Sequence, residues 1–150
     1  MAVAAEFFAT MLDAYLCVGL TGENPDDRET ADGRPATRAF ARARLARMLC
    51  ADADTFSEEQ AQALAESVLR TQHHVVGEAI ERVVAKRRPV DRIVVSGSGE
   101  ILGRSVCAQH RSMAAISLTS LAELLGAKLS EAACAYAVAA LAAQEQSDAR

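Results

Sequence analysis

Gly97, Ser98 and Gly99 stand between a β-branched run, Ile93, Val94 and Val95, and the start of a helical pattern at Glu100, Ile101 and Leu102. Strand, glycine turn and helix is the local reading. Such a turn suits a phosphate or nucleotide, because backbone without side chains lets a ligand approach closely. It is also the simplest way to lead a strand into a helix, since glycine alone takes positive φ at no steric cost. Both readings of the turn stand at this level. A second candidate is Asp32-Gly33-Arg34, where an acid and a base flank a glycine inside a long polar stretch; its plain alternative is an Asp-Gly turn.

Other reactive residue types carry less. His73 and His74 are adjacent, and neighbours on a helix diverge by about 100°, so the pair is read as one exposed and one boundary histidine and not as a metal grip. Cys17, Cys50, Cys107 and Cys134 are far apart in apolar or alanine-rich contexts, which predicts buried, reduced thiols and no metal site. The order Ser96, Gly97, Ser98, Gly99 does not fit a nucleophile elbow, and no triad, paired-carboxylate site or Walker loop is present.

These residues must be positioned by a chain of 150 residues, 51% hydrophobic, which is one domain's length with enough apolar content for a real core. A formal charge of −4 argues against nucleic acid or an anionic membrane as the main partner. Arg38, Arg42, Arg44 and Arg47 scatter around one helix, and Arg82, Lys86, Arg87, Arg88 and Arg92 gather near a helix end. Both groups read as solvated surface. MAVAAEFFATML lacks a signal peptide's basic flank, and no later stretch is long and apolar enough to span a bilayer, so a cytoplasmic protein is expected.

Helical spacing predicts a first helix from Ala2 to about Cys17, stopped by Gly19. Residues 19–36 form a long polar loop, either functional or disordered. Thr37 should cap a helix to about Leu49. Ser57 and Gln60 form a capping-box signature opening a long helix to about Lys86, with a core stripe of Leu64, Val68, Val75, Ala79 and Val83. Gly77 within it signals close packing or a bend. After the glycine turn a helix should reach Gln109 and a second strand should occupy Ala114 to Leu118, giving a parallel βαβ unit. A short helix from Leu121 to Leu125, ended by Gly126, should precede an alanine-rich helix capped by Ser130, suited to lying close against another element and frayed from Gln144.

The succession FFATMLDAYLCVGLTGENPDDRETADGRPATR, ARLARMLCADADTFSEEQAQALA, DRIVVSGSGEILGR and SLAELLGAKLSEAACAYAVAAL resembles the C-terminal half of the hydantoinase/oxoprolinase-like proteins linked to tetrahydromethanopterin-dependent one-carbon transfer. Archaeal relatives of that family are similar to a methanofuran-biosynthesis synthase. TADGRP and VSGSGE are the most specific parts. The resemblance implies an α/β, helix-rich fold over residues 1–150: a partial actin-like, sugar-kinase-like ATPase domain with a small parallel βαβ sheet and a helical insertion. It further implies that Gly97, Ser98, Gly99 and Glu100 lie beside the adenosine of ATP, with Mg in the complete assembly, and that Asp32, Gly33 and Arg34 face a small-molecule substrate. The strand and acidic glycine turn that hold the phosphates in the family's N-terminal half have no counterpart here. The expected partner is therefore that missing half, or a second copy, and the chain alone is expected to be inactive. The alternative is a noncatalytic helical interaction module.

Overall fold

The computed structural model describes residues 7–86, 89–113 and 115–148; Ala2 to Glu6 of the expected first helix, Arg87 and Arg88 of the basic cluster, and Ala114 of the expected second strand lie outside the described residues. Contacts divide the chain into two compact units, Met1–Gln72 and His73–Arg150.

In the first unit helix α1 spans Met11–Cys17, and residues 7–10 are not helical. The start is later than apolar spacing suggests because the Asp13 carboxylate accepts the Thr10 N–H at 2.8 Å, which fixes the helix end at an extended Thr10. Gly19, at φ +72°, closes the other end as expected, with the Leu20 N–H donating to the Tyr15 carbonyl at 2.9 Å. Helix α2, Arg38–Met48, has Thr37 at the capping position, but its side chain makes no cap bond. Glu23 from the polar loop accepts the Arg38 N–H instead, at 2.8 Å. Helix α3, Glu58–Lys86, opens on the expected box: the Ser57 N–H donates to Gln60 Oε1 at 2.8 Å and the Gln60 N–H donates to Ser57 Oγ at 3.3 Å.

The core of this unit gathers Ala14, Leu16, Ala41, Leu45, Ala46, Phe56, Ala61, Ala65 and Leu69. Alanine at so many contact positions lets helices approach closely. The buried stripe of α3 is thus Ala61, Ala65 and Leu69, flanked by Leu64 and Val68. Val75 and Val83, expected in that stripe, are exposed. The polar loop is built from local bonds: Asn24 bridges Ala36, Asp27 Oδ1 accepts the Glu29 N–H at 2.8 Å, and the Thr30 hydroxyl donates to the Arg34 carbonyl at 2.6 Å.

In the second unit strand β1, Arg92–Val95, pairs in parallel with β2, Ser117–Ser120, in the register Arg92 with Ser117 through Val95 with Ser120. Helix α4, Glu100–Gln109, connects them, so the parallel βαβ unit is present. Strand β2 starts later than expected because Met113 and Ile116 are held in turns, with the Ile116 N–H donating to the Met113 carbonyl at 2.9 Å. Pairing begins only where Ser117 bonds the Asp91 carbonyl. Short helices α5, Leu121–Leu125, and α6, Ala127–Glu131, meet at Gly126, whose φ is +86°. Helix α7 runs Ala133–Asp148 without the fraying expected from Gln144, and its side chains from Cys134 to Gln146 are exposed, so the close packing expected of its alanines is not seen. The whole is a helix-rich α/β chain with a two-stranded parallel sheet. No helix among the described residues is long and apolar enough to cross a membrane.

Candidate functional site

The glycine turn is shaped from three sides. Gly97 sits at φ +67° and opens a tight turn, Gly97–Gly99, that leads directly into α4. A Cβ at Gly97 would meet no atom closer than 3.7 Å, so its backbone angle, and not crowding, is what requires glycine there. At Gly103 the reverse holds: a Cβ would come within 2.7 Å of Val95 Cγ1, so α4 crosses β1 closely because that position lacks a side chain.

Beneath the turn lies a buried carboxylate. Glu100 Oε1 accepts the Ser130 hydroxyl at 2.6 Å and the Ala122 N–H at 2.9 Å, while Oε2 accepts the Ser120 hydroxyl. Ser130 Oγ in turn accepts the Gly97 N–H at 2.8 Å. Hydrogen bonds from Ser120 and then Ser130 hold the Glu100 carboxyl below its ordinary range, against burial. Glu100 therefore braces the turn from inside the fold. Ser130, expected to cap the last helix, belongs to α6 and serves this brace; Ser120 caps α5, accepting the Glu123 N–H at 3.1 Å.

Gly97, Ser98 and Gly99 line an open cavity of about 320 Å³, faced by Ser130, Glu131 and Cys134 from α6 and α7. Among the described residues its charged lining is Glu131, and no arginine or lysine contributes. Hydroxyls, main-chain N–H groups and one carboxylate suit a ligand face that carries hydroxyls and ring nitrogens. A phosphate at the N-terminal end of α4 would instead meet the Glu131 carboxylate with no lining cation to offset it. Sequence pattern located the turn but missed Glu131 and Cys134, which reach the cavity through tertiary folding. Cys134 and Cys50 are exposed, contrary to the expectation of four buried thiols; Cys17 and Cys107 are buried, and all four are free.

Asp32, Gly33 and Arg34 belong to the first unit and anchor an ion-pair network. Asp32 accepts Arg34 Nε at 2.8 Å, Arg44 Nη1 at 3.0 Å and Arg47 Nη1 at 3.2 Å, with Gly33 at φ +69° shaping the turn. Arg44 also donates from Nε to Asp13 Oδ1 at 2.7 Å, and its side chain is 0% exposed. The expectation of a solvated arginine there is corrected: two carboxylates compensate a fully buried guanidinium. Burial raises the Asp32 carboxyl, but the hydrogen bonds from Arg34 and Arg44 outweigh it and lower it to about 2. The Arg34 guanidinium lies 5.0 Å from the Phe40 ring centre.

The histidines take separate partners, His73 with Gln109, His74 with Glu78, and His110 with Glu81. The ring of His110 occupies the notch at Gly77, where a Cβ would lie 2.0 Å from Nε2, so close packing is the reason for that glycine. Among the described residues no three His, Cys, Asp or Glu side chains gather as a metal site.

The geometry defines a helix-rich α/β protein with a braced glycine turn beside an open cavity. No family model matches the chain. It is similar to the (4-{4-[2-(gamma-L-glutamylamino)ethyl]phenoxymethyl}furan-2-yl)methanamine synthase of Methanococcus vannielii, at 23% identity over 143 residues, which cover 95% of this chain and 64% of that protein. The chain thus spans less than two thirds of that relative's length, and the kinship is distant.

Proposed function

We propose that this chain forms one wall of a nucleotide site in an ATPase-fold protein of methanofuran-linked one-carbon cofactor metabolism, related to the hydantoinase/oxoprolinase-like proteins. The observation that carries the reading is the Gly97–Gly99 turn, braced by Ser130 and Glu100 beside a cavity without cationic lining. Such a lining fits the adenosine end of ATP. The phosphates and Mg then fall to a partner first domain. Similarity along 95% of the chain to a synthase of a glutamylamino-ethyl-phenoxymethyl-furan product supports the metabolic setting. Asp32, Gly33 and Arg34 take the substrate side in this reading, with Asp32 positioning arginines through its ion pairs.

Calorimetric titration of Mg-ATP tests the proposal, first into the chain and then into its mixture with the matching first domain. The chain alone should bind weakly and not turn over. Loss of several charge-assisted phosphate contacts, each worth about 1.5–3 kcal/mol, weakens binding by orders of magnitude. Ser98→Ala should lower affinity in the mixture while leaving Tm nearly unchanged. Micromolar binding with turnover by the chain alone contradicts the one-wall reading.

A second reading, a helical interaction module, is favoured by α7, where Val138 and Leu141 are 68% and 62% exposed. It predicts a partner chain that binds without nucleotide and ATP that never binds.

A further inference from the structure

A second cavity, of about 290 Å³, lies wholly within the first unit, among the polar loop, α2 and the first turns of α3. Arg38, Arg42, Glu23 and Glu58 line it, with Cys17 and Gln62. Two cations and two anions share one small space, yet among the described residues none of the four is ion-paired with another. Three of them are instead anchored to main chain. Arg38 Nε donates to the Leu16 carbonyl at 3.3 Å, Arg42 Nη1 donates to the Phe56 carbonyl at 3.0 Å, and Glu23 Oε2 accepts the Arg38 N–H at 2.8 Å. Each anchor uses one polar atom and leaves others on the same group free to bond. The Glu58 side chain makes no hydrogen bond or ion pair with any described residue, so its carboxylate is wholly available.

We infer that this cavity binds the zwitterionic head of an α-amino acid, free or at the end of a larger molecule, with Arg38 and Arg42 taking the carboxylate and Glu23 and Glu58 the ammonium. A ligand with one charge would leave two like charges of the cavity uncompensated, whereas a zwitterion satisfies both pairs at once. Anchoring the guanidiniums before binding reduces the ordering cost of capture. The size matches a small polar ligand, at the lower end of pockets that hold small molecules. Cys17 does not make the cavity a nucleophilic centre: burial, then the Asp13 charge, pushes its thiol up to about 11, so it stays protonated at neutral pH. The inference does not depend on a nucleotide at Gly97.

Titration of the isotopically labelled chain by NMR tests it, with L-glutamine, glutaramate (which lacks the amine), gamma-aminobutyramide (which lacks the α-carboxylate) and inorganic phosphate as separate probes. L-glutamine should shift the amides of residues 38–42 and 57–62 saturably, and each single-charge probe should bind about tenfold more weakly or worse. Arg38→Gln and Glu58→Gln, each checked for an unchanged fold by its remaining spectrum, should each weaken L-glutamine by about tenfold. Glu58→Gln should leave glutaramate unaffected, a split that simple unfolding does not produce. Phosphate binding as tightly as L-glutamine would overturn the inference, as would equal response to all four probes or no saturable shift in these residues.

Discussion

In the first unit a buried guanidinium, Arg44, is held between two carboxylates, whereas in the second a buried carboxylate, Glu100, is held by two serine hydroxyls and a main-chain N–H. Both devices tie together segments far apart in sequence. They differ in what failure leaves behind: removing Arg44 strands Asp13, which is 0% exposed, while removing one serine leaves Glu100 with its other donors. The apolar surfaces differ as well. The first unit buries one contiguous cluster from Ala14 to Leu69, but the second leaves Val75, Val83, Val94, Leu124, Val138 and Leu141 more than half exposed. A unit that shows this much apolar surface has the character of an interaction surface, whereas the large apolar side chain more than half exposed in the first unit is Phe7.

The contrast breaks most sharply at Arg44. Arg44→Met should cost about 3–5 kcal/mol in urea unfolding, because an uncompensated carboxylate stays buried. Adding Asp13→Leu should recover much of the loss. Ser130→Ala should cost less, about 1–3 kcal/mol, since one hydroxyl of a redundant set is lost. Equal losses for the two variants would erase the distinction between an irreplaceable cation and interchangeable neutral donors.

Acid titration sharpens the comparison further. The Asp32 carboxyl is lowered from 3.8 to about 2 in the folded chain, so its ion pairs contribute stability that is fully present above 3.8 and is lost as pH falls through about 2. Asp32→Asn should flatten that part of the stability profile, read from urea midpoints between those pH values. An unchanged acid limb would mean that other carboxyls govern it.

The smallest effect is expected at Cys50, which sits at φ 55°, where α2 ends in the same bonding pattern that Gly19 completes for α1. Cys50→Gly should raise stability by about 1 kcal/mol, because a side chain in the left-handed region is strained. A loss of stability would show that the exposed thiol makes a contact that offsets the strain.

Local chemistry was legible where a residue type has one favoured use. Gly19 as a helix stop, the Ser57 and Gln60 box, Gly97 between strand and helix, and Gly126 after α5 all sit where their backbone preferences place them. The failures share a cause. Thr37, Ser130 and Arg44 have sequence readings that rest on near neighbours, but their surroundings depend on partners far along the chain: Glu23, not Thr37, caps an N–H at the start of α2, Ser130 reaches Gly97, and Arg44 meets Asp13. Helical spacing likewise gives an apolar stripe without saying what covers it, so Val75 and Val83 read as core beside Leu64. Of the candidate site the turn was visible, while the Ser130 brace and the Glu131 wall arise only when α6 folds back over it.

The central claim is that the Gly97 turn faces the adenosine end of a nucleotide. The most direct measurement is amide chemical-shift mapping of the labelled chain titrated with adenosine and with ATP. The account predicts saturable shifts at Gly97, Ser98, Gly99 and Glu131 with both ligands, and little gain from the phosphates in the chain alone. Shifts that avoid this turn, or that appear only with ATP and centre on arginines elsewhere, would contradict it.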